Sequence, residues 1–275
     1  MLDLVKTIIA PETIWGSFLM LTIGGLVFYV LTSGLSHLYY FVWRKPRFFP
    51  NEKLDPKQMW LERKWAVYSL LGNAVLTTPI HHFIVTGKSR VYNDVSEYGV
   101  PWLIASILLM LVITETLVYW AHRFLHHPVV YKKIHLHHHQ FRVTTPWASV
   151  AFHPLDSFLQ AAPTHLCAFL FPMHAGVYGV GLILLMIWSV FIHERVTFMR
   201  VPLLNNTMHH TAHHKFNKYN YGQYLTIWDR MMGTYKNPVC LVEDGWDRSV
   251  PVNPHRSSTK NREPAPVAAE AVSES

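Results

Sequence analysis

The sequence predicts an all-α fold, a polytopic integral membrane bundle of helices. Three observations carry the prediction. Half of the 275 residues are hydrophobic and only 15% are charged, with a mean hydropathy of +0.13, whereas a water-soluble surface is normally rich in charge. Several apolar runs reach the roughly twenty residues that a helix needs to cross the hydrocarbon core. The basic residues behind the formal net charge of +7 gather in the loops between these runs, which favours a membrane surface over nucleic acid as their partner.

Three apolar runs come first, Ile14 to Ser33, Ala66 to Val85 and Val100 to Ala121. The second is the least regular, with Pro79, His81 and His82 near its end. No cleavable leader is expected, because no charged n-region, short apolar h-region and small-residue cleavage site opens the chain. The first loop carries Arg44, Lys45, Arg47, Lys53, Lys57, Arg63 and Lys64, and the second only Lys88 and Arg90, so the positive-inside rule places the first loop in the cytosol. Three crossings then bring the segment from His122 onward to the cytosolic side, in agreement with Arg123, Lys132, Lys133 and Arg142. Phe158 to Ile192 is apolar again but broken by Pro163 and by "FPMH" at Phe171 to His174, which predicts a hairpin whose second arm is Ala175 to Ile192. The hairpin returns the chain to the cytosol.

The expected organisation is N-terminal spans with a basic loop over 1–99, a histidine-rich domain over 100–240 and a disordered polar tail over 245–275. Cys167 and Cys240 are too few and too distant for a disulfide framework or a thiolate zinc ribbon.

Histidine is concentrated in two places. "HRFLHHPVVYKKIHLHHH" (His122 to His139) and "MHHTAHH" (Met208 to His214) hold eleven of the nineteen histidines. His122 and His126 form H-x3-H, while His135, His138, His139 and His210, His213, His214 each form H-x2-H-H. Spacings of three and four put side chains on one helical face, so each box can aim several imidazoles at one place. Imidazole suits zinc, copper, iron and nickel. Eight such ligands exceed the four of a tetrahedral zinc, which points to two metals or an expanded shell. A loose metal-buffering tract would need no repeated spacing. Glu115, Tyr119, His122 and His126 form one stripe leading out of the third apolar run, and an acid within a span is a functional candidate: Glu115 could orient a ligand histidine.

The three boxes, in this order between these apolar runs, resemble the membrane-bound fatty acid hydroxylase superfamily. "VYKKIHLHHH", "TPWASVAFHPLDSFLQAAPTH" and "MHHTAHHKFNKYNYGQYLTIWDRMMGTYKNP" are similar to the sterol C5-desaturases, called lathosterol oxidases in animals. The likeness is strong over Val118 to Pro238 and one of layout before that. It implies metal ligands at His122, His126, His135, His138, His139, His210, His213 and His214, with His193 of "FIHER" as a further one followed by Glu194. Thr197 stands where some members have another histidine. His153 of "AFHPLD" matches a family motif and, like Glu115 and Tyr119, is a candidate outer neighbour of the ligands; His127, His137 and His209 fall outside the boxes.

The resemblance further implies two iron ions as cofactor, O2 as co-substrate and electrons from cytochrome b5 or a ferredoxin-type donor. Lys132, Lys133, Arg142, Lys215 and Lys218 near the boxes would attract that donor and anionic lipid. The substrate would be a Δ7-sterol entering from the bilayer and gaining a double bond between C5 and C6. The membrane would be the endoplasmic reticulum in a eukaryote and the cytoplasmic membrane in a bacterium. The aromatic run "YNYGQYLTIW" is expected as an interfacial belt, with the border of the sterol pocket as its alternative. Rival readings are a sterol C4-methyl oxidase, a fatty acyl or carotenoid hydroxylase of the same superfamily, and a metal transporter with a cytosolic histidine loop. The transporter would need polar ligands near mid-span, where only Glu115 stands.

Overall fold

The computed structural model describes residues 10, 12–196, 201 and 203–238. Six helices of ten residues or more organise them: α1 (Ile14–His37), α2 (Pro56–Val85), α3 (Gly99–Leu125), α4 (Pro154–Leu170), α5 (Ala175–His193) and α6 (Thr207–Phe216). Thr197, Cys240, His255 and the expected tail at 245–275 lie outside the described residues.

Local chemistry sets the helix starts. Thr13 caps α1 by accepting from the Gly16 N–H, and Asp55 caps α2 by accepting from the Lys57 N–H, each at an end where backbone donors lack helical partners. Asp55 and His153 are each followed by a proline in the first helical turn, whose fixed φ suits that position. At the end of α1 the bonding widens to five residues, Arg44 N–H reaching the Tyr39 carbonyl at 2.8 Å, so the helical rod continues to Trp43.

Among the described residues, three helices are long and apolar enough to cross a membrane: Ile14–Trp43, Gly99–Leu125 and Ala175–His193. The expected second span, Ala66 to Val85, is the latter part of α2 and falls short of that standard, because Asn73, Thr77, Thr78, His81 and His82 dilute its apolar run. The hairpin expected after the first histidine run is present as α4 and α5. Pro163 does not break it, contrary to the reading from sequence: it lies inside α4, where the lost N–H costs a single backbone bond and the packing of α2, α3 and α5 around the helix holds the remainder. The turn comes at Phe171–His174, where Met173–His174 pairs in parallel with Val91–Tyr92.

Helix α4 packs along α2 and α3, and α1 lies against α2. Gly72 lets α2 and α4 approach: a Cβ there would stand 2.5 Å from Pro154 Cβ and Cγ. One core cluster joins Tyr29, Ala66, Leu70, Phe141 and Val150 beneath the histidines, and a second joins Ile84, Cys167, Phe171 and Tyr178 at the opposite end of the bundle. The outward faces of α1, α3 and α5 keep Ile23, Val27, Leu108, Val112, Ile183 and Leu184 exposed, which suits contact with lipid.

Candidate metal centre

All nine histidines expected as ligands converge, and they sort into two groups. His122, His126, His135, His139 and His213 form one; His138, His193, His210 and His214 form the other, with candidate donor atoms within 4.8 Å of one another in each. These are the groups of three or more metal-binding side chains found among the described residues. The split follows from helix geometry. Residues i and i+4 of each H-x2-H-H box share a group, His135 with His139 and His210 with His214, while the i+3 residue points across, His138 to the second group and His213 to the first. Each box thereby contributes to both groups.

The second nitrogens of the rings show which ends face inward. His122 Nδ1 donates to the Tyr221 carbonyl at 3.0 Å, His213 Nδ1 to the Tyr219 carbonyl at 2.7 Å and His193 Nδ1 to the Ser189 carbonyl at 2.6 Å. His135 Nδ1 meets the Asp156 carboxylate at 2.6 Å, both side chains fully buried. A carbonyl acceptor requires an Nδ1–H, which leaves Nε2 with its lone pair free for a metal. The inward Nε2 atoms lie close: His135 to His139 3.1 Å, His139 to His213 3.0 Å, His193 to His210 3.0 Å and His210 to His214 3.1 Å. His126 Nε2 is buried with no hydrogen-bond partner, as a nitrogen directed at a metal would be. Burial, reinforced by the neighbouring imidazoles, holds His138, His139, His210, His213 and His214 well below the usual histidine range, so these rings are neutral. The donor set is wholly imidazole nitrogen, and it fits two transition-metal ions.

The remaining candidates have other partners. Glu115 does not reach a histidine, as the stripe had suggested; its carboxylate accepts the backbone N–H groups of Gln223, Tyr224 and Leu225 at 3.2, 2.7 and 3.2 Å. Asp229 accepts from the Tyr221 and Gly222 N–H groups at 2.8 and 2.9 Å. The two acids clamp the loop whose carbonyls hold His122 and His213. Only glycine fits at 222, because a Cβ there would meet the Leu225 carbonyl oxygen, Asp229 and Glu115. Tyr119 hydrogen-bonds Thr234 at 2.9 Å and receives Arg123 at 3.1 Å, so it too acts on this region and not on a ring. His153 caps α4 through the Leu155 N–H and stacks on His137, which lies on Trp65 at 4.2 Å. His209 caps α6 together with Asn206, and His127 is exposed. None of these four histidines enters either group. Glu194 is buried and accepts from Ser36 at 2.9 Å, away from the rings.

Sequence reasoning missed Asp156 and the loop around Tyr219–Leu225. The signal for Asp156 was a carboxylate placed just before an apolar hairpin. The loop gave none, since its backbone carbonyls do the holding and its tyrosines only suggested a belt. Tyr221 is buried beside His122 and His126, which excludes it from such a belt.

The second group opens onto a cavity of about 610 Å³ between α1, α2, α4 and α5, lined by Leu21, Phe28, Leu70, Leu182 and Met186 and reaching His122, His138, His193 and His210. Its size and apolar lining suit a lipid-sized molecule.

Comparison with known proteins gives the chain's family. The family model described as "Fatty acid hydroxylase" matches residues 107–234. The chain is 41% identical to the lathosterol oxidase of Homo sapiens over 81% of its length and 75% of the relative's. It is 39% identical to the lathosterol oxidase of Mus musculus over the same shares. The chain belongs to the sterol C5-desaturase family. Fungal members of that family are also similar: the Delta(7)-sterol 5(6)-desaturase of Schizosaccharomyces pombe is 36% identical over 80% of this chain and 73% of its own. No solved structure matches the chain significantly.

Proposed function

We infer that the chain is an O2-dependent oxidoreductase that introduces the C5–C6 double bond into a Δ7-sterol, with two iron ions held by the nine converging histidines. The observation that carries this reading is the pair of all-histidine groups at the end of a sterol-sized apolar cavity, in a chain 41% identical to a lathosterol oxidase over 81% of its length. Iron bound there would supply O2 activation and removal of hydrogen from an unactivated C–H bond, which no side-chain acid or base can do.

The protein's own part is to bind, aim and exclude. Asp156 and the carbonyls of Tyr221, Ser189 and Tyr219 fix four rings in the tautomer that presents Nε2 inward. The cavity strips water from the substrate, and its apolar walls bring the sterol end-on to the histidines. The histidine face is assigned to the cytosol by the basic loops. Lys132, Lys133, Arg142 and Lys218 are exposed on that side and offer a surface for an acidic electron donor such as cytochrome b5 or a ferredoxin. The catalytic domain over 100–240 contains every proposed ligand. In a eukaryotic cell the membrane is the endoplasmic reticulum, and in a bacterium the cytoplasmic membrane.

The test is sterol analysis by mass spectrometry in cells lacking their own C5-desaturase, comparing the chain with a His210→Ala, His213→Ala variant. Accumulation of a Δ5,7-sterol with the intact chain only is the expected result. An unchanged Δ7 pool, with verified membrane expression and a competent donor, overturns C5 desaturation and directs the search to C4-methyl sterols and fatty acyl hydroxylation.

A further inference from the structure

Close to the histidines the largely apolar cavity carries polar side chains from α2 and α4. Asp156 and Gln160 are one turn apart on α4, and Gln160 Nε2 donates to Asp156 Oδ1 at 2.7 Å while Asp156 Oδ2 holds His135. That bond uses one donor of the Gln160 amide; its Oε1 has no partner among the described residues, and the side chain lines the cavity. Ser157, three residues before Gln160 on the same face, also lines the cavity with an uncommitted hydroxyl. Asn73 on α2 follows Gly72, the residue that packs on Pro154, so it stands level with Ser157 and adds an amide to this ring. Further along, the polar groups are satisfied by one another: His165 Nδ1 lies 2.6 Å from the Tyr178 hydroxyl, and Thr77 donates to Asn73 Oδ1 at 3.3 Å. On α5 the cavity lining extends from Ile192 back to Gly179, about 20 Å at the rise of an α-helix, long enough for a sterol lying lengthwise.

We propose that Gln160, with Ser157 and Asn73, is the subsite that binds the 3β-hydroxyl of the sterol and thereby sets which ring carbon faces the metal centre. The inference rests on the sterol desaturase reading. A sterol hydroxyl is carried on ring A, with one ring carbon between its own carbon and C5, so a substrate with C5 at the histidines must have its hydroxyl near them too. Gln160 is linked to that place by two short bonds, Gln160 to Asp156 and Asp156 to His135. Its free amide oxygen can accept from the hydroxyl, and Ser157 and the Asn73 amide can donate to it. The apolar side chain then extends along α4 and α5 towards mid-membrane, which keeps the orientation a sterol has in a bilayer. A substrate without the hydroxyl would leave these polar groups unpaired in an apolar cavity.

The experiment measures binding of tritiated cholest-7-en-3β-ol and of its 3-deoxy analogue cholest-7-ene to the full chain in nanodiscs, with competition to equilibrium, alongside turnover of both. The unaltered protein is expected to prefer the hydroxylated sterol by roughly tenfold, about the worth of one buried hydrogen bond. Gln160→Leu should bring the two affinities to parity, and Ser157→Ala should reduce the preference in part. Equal binding of both sterols by the unaltered protein overturns the subsite even if the variants do not fold. A folded Gln160→Leu that keeps the preference also overturns it, since a residue acting only through Asp156 would slow turnover of both sterols alike. A Gln160-dependent preference without any Δ5 product would leave the subsite standing and remove the desaturase reading.

Discussion

At the scale of single residues, the centre depends on groups that touch rings without being ligands. Asp156 accepts the Nδ1–H of His135 and is itself held by Gln160. Asp156→Asn keeps the shape but exchanges a carboxylate for an amide whose orientation the site does not fix. Iron affinity should fall by about ten- to a hundredfold, measured as metal content after dialysis against a graded chelator; unchanged loading would mean that His135 needs no orienting partner. Glu62 presents a different case. It is fully buried, accepts from Gln58 and Thr145, and its desolvation outweighs these bonds and raises its pKa to about 7. An acid raised above its unfolded value of 4.5 contributes stability that is complete below that value and is lost as pH rises through about 7. The thermal midpoint in detergent should therefore drop between about pH 4.5 and pH 7 and level off above that, and Glu62→Gln should flatten that drop; an equal slope in the variant assigns it elsewhere.

At the scale of elements, the site is a product of close approaches. Gly72 brings α2 against the start of α4, the helix that delivers Asp156. Gly72→Val would force the helices apart and should cost about 1–3 kcal/mol, with a parallel loss of bound iron. Retained iron with lowered stability would show that α4 can move without disturbing His135. The loop from Tyr221 to Leu225 is anchored by Glu115 and Asp229, so Glu115→Ala would orphan three backbone donors next to the carbonyl that holds His122. Expected is a protein that folds less stably and loads less metal. Normal loading would confine Glu115 to a purely structural role.

At the scale of the whole molecule, one end of an apolar bundle carries both the nitrogen-rich centre and the exposed cations Lys132, Lys133, Arg142 and Lys218. If an acidic donor docks there, Lys132→Glu with Lys133→Glu should slow reduction by cytochrome b5 several-fold at low salt, and the difference should shrink as ionic strength rises. A salt-independent deficit would move the docking surface elsewhere. The neutral histidines also couple metal to acidity. Imidazoles held well below their usual range stabilise the fold above about pH 6.5, and that contribution is lost as pH falls towards their lowered values. Acid unfolding of the metal-free chain should accordingly begin at higher pH than that of the metal-loaded one.

Much of this was legible in one dimension. Apolar length identified the helices Ile14–Trp43, Gly99–Leu125 and Ala175–His193 because it acts through the local solvent of each segment, and it overstated Ala66 to Val85, whose polar residues dilute the run. Spacings of three and four identified the histidine boxes because a helix converts spacing into direction. The sequence by itself therefore determined the helical class, the eight box histidines and the family, whose resemblance added His193. Only the tertiary structure decided how those imidazoles divide into two groups and what orients them. It alone placed Asp156 on His135, the Tyr219 and Tyr221 carbonyls on His213 and His122, and Glu115 on a loop about a hundred residues away. The reason is physical: backbone carbonyls carry no residue identity, and a carboxylate's partner is set by where packed helices meet, which no local pattern encodes.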